Sequence, residues 1–393
     1  MKFKMRLKLQ YATMAMLLLL AISCIERSNE TIITVANPTG DDRLIETVKV
    51  DIPDHLSGIT SLVVVDKKSE KELLIQLVDE DGDKLPEYVL FQAAFKARET
   101  RQYILKEGER TVFAGDVKTF ARFVPERTDD FTWENDKVAF RVYGPAAQAM
   151  VEGGIKGGTF SGGVDCWLKK VDYSIIDSWY AGNTAEPGYY HIDHGEGLDN
   201  YHVGPSLGCG GTGVMYDGEL YTSKNYTAYE VVTNGPVSST FNLASAPFGP
   251  ELKKVNQLKT ASIDLGSNFT KFVISVEGND NLTTGITLHD KKGEVNVDEM
   301  ACWGDYWAPH AGEELGNAIV VDPKYYAGYS QVISEEKDKS HLLMHLKAID
   351  GKVEYYAGFA WSGSQQFAGK EEWHEHLNKV AQQIQSPLLV SIQ

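Results

Sequence analysis

Short runs of alternating apolar and polar residues recur along most of the chain. They fall at 62–65, 73–78, 138–143, 229–232, 272–276, 318–321, 341–346 and 353–361, with turn residues between them. A period of two marks a strand with one buried face. Within 138–143, Val138, Phe140 and Val142 face one way, and Ala139, Arg141 and Tyr143 the other. Only 370–385 keeps helical spacing, with an apolar stripe of Trp373, Leu377, Val380 and Ile384. No repeat of roughly 20–50 residues is visible, which argues against a propeller. The pattern predicts an all-β protein: a large multi-strand β-sandwich closed by one C-terminal helix.

The first 23 residues follow a different pattern. Lys2, Lys4, Arg6 and Lys8 precede an apolar run over 12–22, which is too short to span a bilayer and has signal-peptide dimensions. The run ends in Leu20-Ala21-Ile22-Ser23-Cys24, which resembles a bacterial lipobox with Cys24 as the lipidated residue. Residues 24–43 then read as a lipidated cysteine with its tether, and 44–393 as the sandwich, with a possible sub-boundary near 115–125. Acyl chains on Cys24 would anchor the protein to a membrane, expected to be the outer membrane with the protein facing the periplasm. Cys166, Cys209 and Cys302 remain. One disulfide plus a free thiol, or three buried thiols, are both open.

Charge narrows the possible partners. The chain of 393 residues holds 55 Asp+Glu against 38 Lys+Arg, a net charge of −17. Loss of the signal makes it more acidic still. No basic face for nucleic acid is expected. Gly (36), Tyr (19) and Trp (7) suit a turn-rich β protein with aromatic surfaces, as carbohydrate handlers have.

Three clusters carry candidate chemistry. The densest spans 189–213 and holds His191, Asp193, His194, Glu196, Asp199, Tyr201 and His202 in a glycine-rich stretch, read as a loop leading into a strand. If Tyr201 and His202 lie on extended chain they point to opposite sides, so one of them enters a site. His191, His194, Glu196 and His202 are also metal-ligand types, but no rigid metal motif holds them and no cofactor is expected. The second cluster, Cys302-Trp303-Gly304-Asp305-Tyr306-Trp307-Ala308-Pro309-His310, reads as a loop with the makings of a sugar platform. The third, 131–136, precedes the strand of Arg141, the last arginine in the chain. A substrate carboxylate needing a fixed guanidinium would have to find it there or earlier. His341 and His345 share a strand face, while His374 and His376 lie on the C-terminal helix and are expected to be solvated.

The segments 130–145 (DFTWENDKVAFRVYGP), 194–211 (HGEGLDNYHVGPSLGCGG) and 303–323 resemble a family of bacterial lipoproteins. That family is catalogued mainly as a domain of unknown function and occurs among polysaccharide-degradation genes of Bacteroidetes. The resemblance covers roughly residues 33–385. One branch of the family is an oligosaccharide dehydratase acting on ulvan, a sulfated algal polysaccharide. The resemblance implies a sandwich related to the mutarotase-like sandwiches of polysaccharide lyases. It also implies anionic ulvan-type oligosaccharides as partners.

Dehydration of a uronate removes the C5 proton and the C4 hydroxyl. It needs a base, an acid for the leaving hydroxyl, and a cation or strong donors at the carboxylate. His194, Glu196 and Tyr201 are candidates for base, orienter and acid, with His191 and His202 beside them. Arg141 is the candidate for the carboxylate, with Tyr143 on the same strand face. Trp303, Asp305, Trp307 and His310 are candidates for binding the sugar. A polysaccharide lyase would use the same groups on an internal bond. A glycoside hydrolase would instead pair two carboxylates from among Glu196, Asp199 and Asp305. A non-catalytic glycan-binding lipoprotein would need only the aromatics and the anchor.

Overall fold

A computed structural model describes residues 30–111 and 117–393. Cys24, the signal segment and residues 25–29 lie outside the described residues, and the tether expected up to 43 is corrected from residue 30 onward, because Glu30–Ala36 is a half-buried strand of the first sheet.

Alternation builds the first unit. In Glu30–Ala36 every second side chain is buried, and Ile33 and Val35 meet Val48, Val50, Leu62, Val64, Phe91 and Leu105 in one core. That core lies between a three-stranded sheet, ordered Arg43–Asp51, Tyr88–Phe95, Ile75–Val78, and a four-stranded one. The four-stranded sheet is ordered Leu389–Ile392, Glu30–Ala36, Thr100–Glu107, Leu62–Asp66, so the chain's last strand pairs with its first described one.

The rest of the chain forms a larger sandwich. One layer is an antiparallel eight-stranded sheet running from Tyr226–Thr233 at one edge to Glu294–Asp298 at the other. Two five-stranded sheets share its core, one containing Asp165–Lys169 and Ala139–Val142, the other Cys209–Tyr216 and His341–Lys347. Trp133, Phe140, Phe241, Phe272, Leu342 and Phe359 fill that core from all three sheets. The two five-stranded sheets meet at Gly208, which bridges to Val164. A Cβ on Gly208 would sit 2.1 Å from the Val164 carbonyl oxygen, and its φ of +56° lies in the left-handed region, so only glycine fits.

The architecture is the all-β sandwich that the alternation predicts, and the C-terminal helix α3 occupies Lys370–Gln385. Two helices escaped the sequence reading: α1 (Pro145–Glu152) and α2 (Ile176–Ala185). The sequence of α2 has poor intrinsic propensity. It starts where the buried Glu134 carboxylate accepts the Ile175 and Ile176 amides, a cap supplied from far along the chain. Cys166, Cys209 and Cys302 are all free and buried, so of the two arrangements left open the three-thiol one holds.

Trp373, Leu377 and Ala381 of α3 pack on Phe269, Trp303, Trp307 and Val320, on the outer face of the eight-stranded sheet. His376 is not solvated as expected. It lies against Trp373, Phe269 and Phe367, and burial pushes its imidazole down to about 4. A folded-state value below the unfolded ~6.5 gives stability that is present above pH ~6.5 and lost as pH falls through about 4. His376→Gln should remove that term. Between pH ~6.5 and ~4 the wild type should lose stability faster than the variant by about 1.4 kcal/mol per pH unit. Parallel urea titrations would show this, and equal slopes would refute it.

Candidate functional site

The loop that follows α2 wraps around a buried charge network. Arg141 stands opposite Asp165 on the neighbouring strand, and its Nε and Nη2 donate to Asp165 Oδ2 at 2.9 and 2.6 Å. Nη2 also donates to Asp199 Oδ2 at 2.7 Å, and Nη1 lies 3.7 Å from Asp130 Oδ2. Tyr143 donates to Asp165 Oδ2 at 3.0 Å, and Tyr180 to Asp130 Oδ2 at 3.0 Å. The rings of Trp167, Tyr143 and Tyr190 pack around the guanidinium at 5.1–5.6 Å. Burial pushes the Asp199 carboxyl up to about 8 and that of Asp130 up to about 6, against the pull of Arg141. The cause is stoichiometric: Arg141, helped by Arg127 at 3.5 Å from Asp130, faces three carboxylates in low dielectric.

This overturns one expectation. Arg141 does not face a substrate carboxylate: it is 4% exposed and already bonded to two aspartates. Tyr143 is turned inward with it. The same-face argument was sound, but the face is an interior one covered by α2.

Three imidazoles, of His202, His289 and His310, meet where the loop reaches the surface, and a fourth, His191, stands on the same loop against Asp199 and Tyr190. His191 Nδ1 donates to the carbonyl of Asp199, and His202 Nε2 donates to Asp338 Oδ2 at 3.0 Å. His289 Nε2 donates to the His202 carbonyl at 2.8 Å. His310 Nε2 meets Asn200 Oδ1 at 2.8 Å. Each ring therefore has one nitrogen fixed on a protein oxygen and the other without a partner among the described residues, which sets tautomer and orientation together. The Tyr201 ring lies under them, 4.7 Å from His289 and 6.3 Å from His310, and His289 and His310 are 6.4 Å apart. Burial lowers His289 and pushes His310 down to about 4, so both are neutral near pH 7. Below the loop, His341 Nε2 accepts the Leu207 amide at 3.2 Å and holds its descent into Cys209–Tyr216.

Tyr201 points inward and His202 outward. The Tyr201 hydroxyl is buried without a hydrogen bond, and burial raises it well above 10, so it is no surface acid or base. His194 stacks on Tyr189 at 4.0 Å on the exposed side of the loop. Glu196 is tied by the Tyr173 hydroxyl at 2.7 Å and the Trp179 indole at 3.0 Å, and so acts as a pin between loop and helix rather than an orienter for His194. The expected sugar platform is a strand, Trp303–His310. Period two sends Trp303, Asp305 and Trp307 to the outer face under α3, where Asp305 accepts the Trp373 indole and His374 ring. His310 alone of that set joins the histidine surface.

The structure thus unites Tyr201, His202 and His310 with residues the sequence reading passed over, His289, Asn200 and Asp338, and leaves His191 on Asp199. His289 sits in a turn, and only its bond across the fold to His202 marks it. Among the described residues, the ligand atoms of His191, His194, Glu196 and His202 do not converge as a metal set would require. Those of Asp79, Asp81, Asp83 and Glu87 do, within 4.8 Å, on the turn between Ile75–Val78 and Tyr88–Phe95. The D-x-D-x-D spacing was the available signal for them.

A family model described as a domain of unknown function (DUF4861) matches residues 35–390. The chain belongs to that family. The uncharacterized protein P7 of Formosa agariphila is 43% identical over 378 residues, covering 94% of this chain and 96% of that one. Among solved structures, a glycosyl hydrolase family 38 protein and an α-mannosidase, both from Enterococcus faecalis, superpose with TM-scores of 0.50 and 0.51 at 12% identity. They match 93% of this chain but only 47% and 46% of their own, so the chain spans about half their length. The likeness is one of fold, and the DUF4861 fold is one that carbohydrate-active enzymes also use.

Proposed function

We propose that this DUF4861 protein is a carbohydrate-active hydro-lyase. It would remove water from the non-reducing-end uronate of ulvan-type oligosaccharides and leave a 4,5-unsaturated uronyl end. The observation that carries the reading is the surface of three oriented imidazoles, with His289 and His310 held neutral beside His202. An elimination needs a base and an acid within reach of adjacent carbons, and neutral and protonated imidazole supply both. His310 takes the C5 proton, while His202, oriented by Asp338, delivers a proton to the departing C4 hydroxyl. The C5–H and C4–O bonds break, the C4–C5 double bond forms, and water leaves. A uronate carboxylate brought beside His310 raises the proton affinity that burial had lowered, which strengthens the base once substrate is bound.

A hydrolase reading has less support. Glu196 is tied to Tyr173 and Trp179, Asp199 lies under Arg141, and Asp305 is on the far face of the sheet. Lysis of an internal bond would use the same imidazoles with a sugar as leaving group. In this reading the protein works lipid-anchored through Cys24 at the outer membrane, facing the periplasm.

The test is incubation with saturated ulvan oligosaccharides ending in glucuronate or iduronate. New absorbance near ~235 nm, where a conjugated uronate absorbs, with loss of one water and no shorter chains, is the expected result of elimination. Absorbance with chain shortening makes the protein a lyase. Unchanged substrate defeats both.

A further inference from the structure

The strand Asn256–Asp264 sends Gln257, Lys259, Ala261 and Ile263 toward the core. Lys259 pairs with Leu243 on one side and Ile274 on the other, both core residues, so it occupies a place in an apolar row. It is 8% exposed and has no hydrogen-bond or ion-pair partner among the described residues. Burial alone pushes its ammonium down to about 8. A lysine in such a place is costly unless something pairs with it.

A crevice opens at Lys259. Trp133, Tyr143, Tyr226 and Phe272 wall it, and Ser245 and Lys224 complete it. The Ser245 hydroxyl is buried and makes no hydrogen bond, and Lys224 has no acidic partner among the described residues. Among the described residues no carboxylate lines the space, although the chain carries 55 Asp+Glu. Two lysines and a serine with a free hydroxyl therefore line the same crevice without an acidic residue beside them. Its water-accessible volume is ≈ 20 Å³. One water needs roughly 10–15 Å³ by that measure, so there is room for one or two oxygen-sized groups.

We propose that this crevice binds a carboxylate, with Lys259 and Ser245 holding its two oxygens and Lys224 adding a second positive charge. The size fits a planar carboxylate better than a tetrahedral sulfate. The site is separate from the histidine surface and does not depend on the dehydratase reading. Tyr143, a wall of the crevice, also donates to the Asp165 that holds Arg141, so the crevice adjoins the buried charge network.

The carboxylate has two possible sources, a small free acid or the uronate of a sugar. The experiment is calorimetric titration of the protein with acetate, glucuronate and, as a neutral control, glucose. Lys259→Met and Ser245→Ala are run in parallel. Met fits an apolar row, so K259M should fold and melt no lower than the wild type. Acetate should bind the wild type, with affinity at least tenfold weaker in K259M and weaker in S245A, and glucose should not bind. Glucuronate binding with the same dependence on Lys259 assigns the site to a sugar uronate, and acetate binding alone assigns it to a free acid. The proposal fails if neither acid binds, or if K259M binds as the wild type does. Neither result bears on turnover at the histidines.

Discussion

Arg141→Met is expected to cost about 3–5 kcal/mol of folding stability, the typical penalty for removing one partner of a buried charge network. Methionine keeps most of the side-chain volume, so the loss isolates charge from packing. In the wild type the guanidinium is bonded to Asp165 and Asp199 and lies near Asp130, all fully buried. Without it the three acids must take up protons or stay charged in an apolar site. The pH dependence gives a second readout. Asp199 already has a folded-state value of about 8, above the unfolded ~3.9, so its favourable contribution is full below ~3.9 and lost as pH rises through about 8. Removing Arg141 raises the folded value further. The extra loss in the variant should therefore appear only above the wild-type folded values, above about pH 6 through Asp130 and above about 8 through Asp199, and Asp199→Asn in the same chain should remove the part above about 8. Urea unfolding at several pH values measures both effects. A variant within about 1 kcal/mol of wild type at pH 7 would mean that the network is hydrated and not load-sharing.

The second large effect concerns turnover. His310→Ala and His202→Ala should each lower kcat by about 10²–10⁴-fold, the usual worth of a positioned base or acid. Far-ultraviolet dichroism and melting temperature should stay near wild type. His194→Ala is the contrast: its ring stacks on Tyr189 away from the other imidazoles, so activity should change less than about threefold, as for a surface substitution. Asp338→Asn should fall between, since it orients His202 without touching substrate. Because His310 titrates at about 4 in the free protein, kcat/KM should hold down to about pH 5 and fall only below it. Full activity in H310A would remove it as the base and leave His289 as the candidate.

The sandwich was legible because period-two alternation is local, and each of the eight apolar runs lies on a strand. The Trp303–His310 strand was misread because its aromatics resemble a binding loop. Alternation was there, with Trp303, Asp305 and Trp307 on one side and Tyr306 and His310 on the other. The site was legible in part for the same reason. Tyr201 and His202 are neighbours, so chain geometry alone says they diverge. His289 and Asp338 come to His202 from distant segments, and nothing local marks them. Arg141 was singled out for its rarity, but its partners Asp165 and Asp199 are set by cross-strand register and loop closure. Lys259 was invisible because an alternating Gln-Leu-Lys-Thr-Ala gives no sign of which face is inside.

The pairing of Ile33 with Ile392 also constrains the order in which the fold can close. The small sandwich comes first in the chain, yet its four-stranded sheet lacks one edge strand until Leu389–Ile392 joins it. Until then Glu30–Ala36 presents unpaired amides and carbonyls, an open template for another chain. The whole large sandwich lies between the two halves of that sheet. Its folding brings the chain's two distant ends within reach, and the last four-residue strand then seals the first.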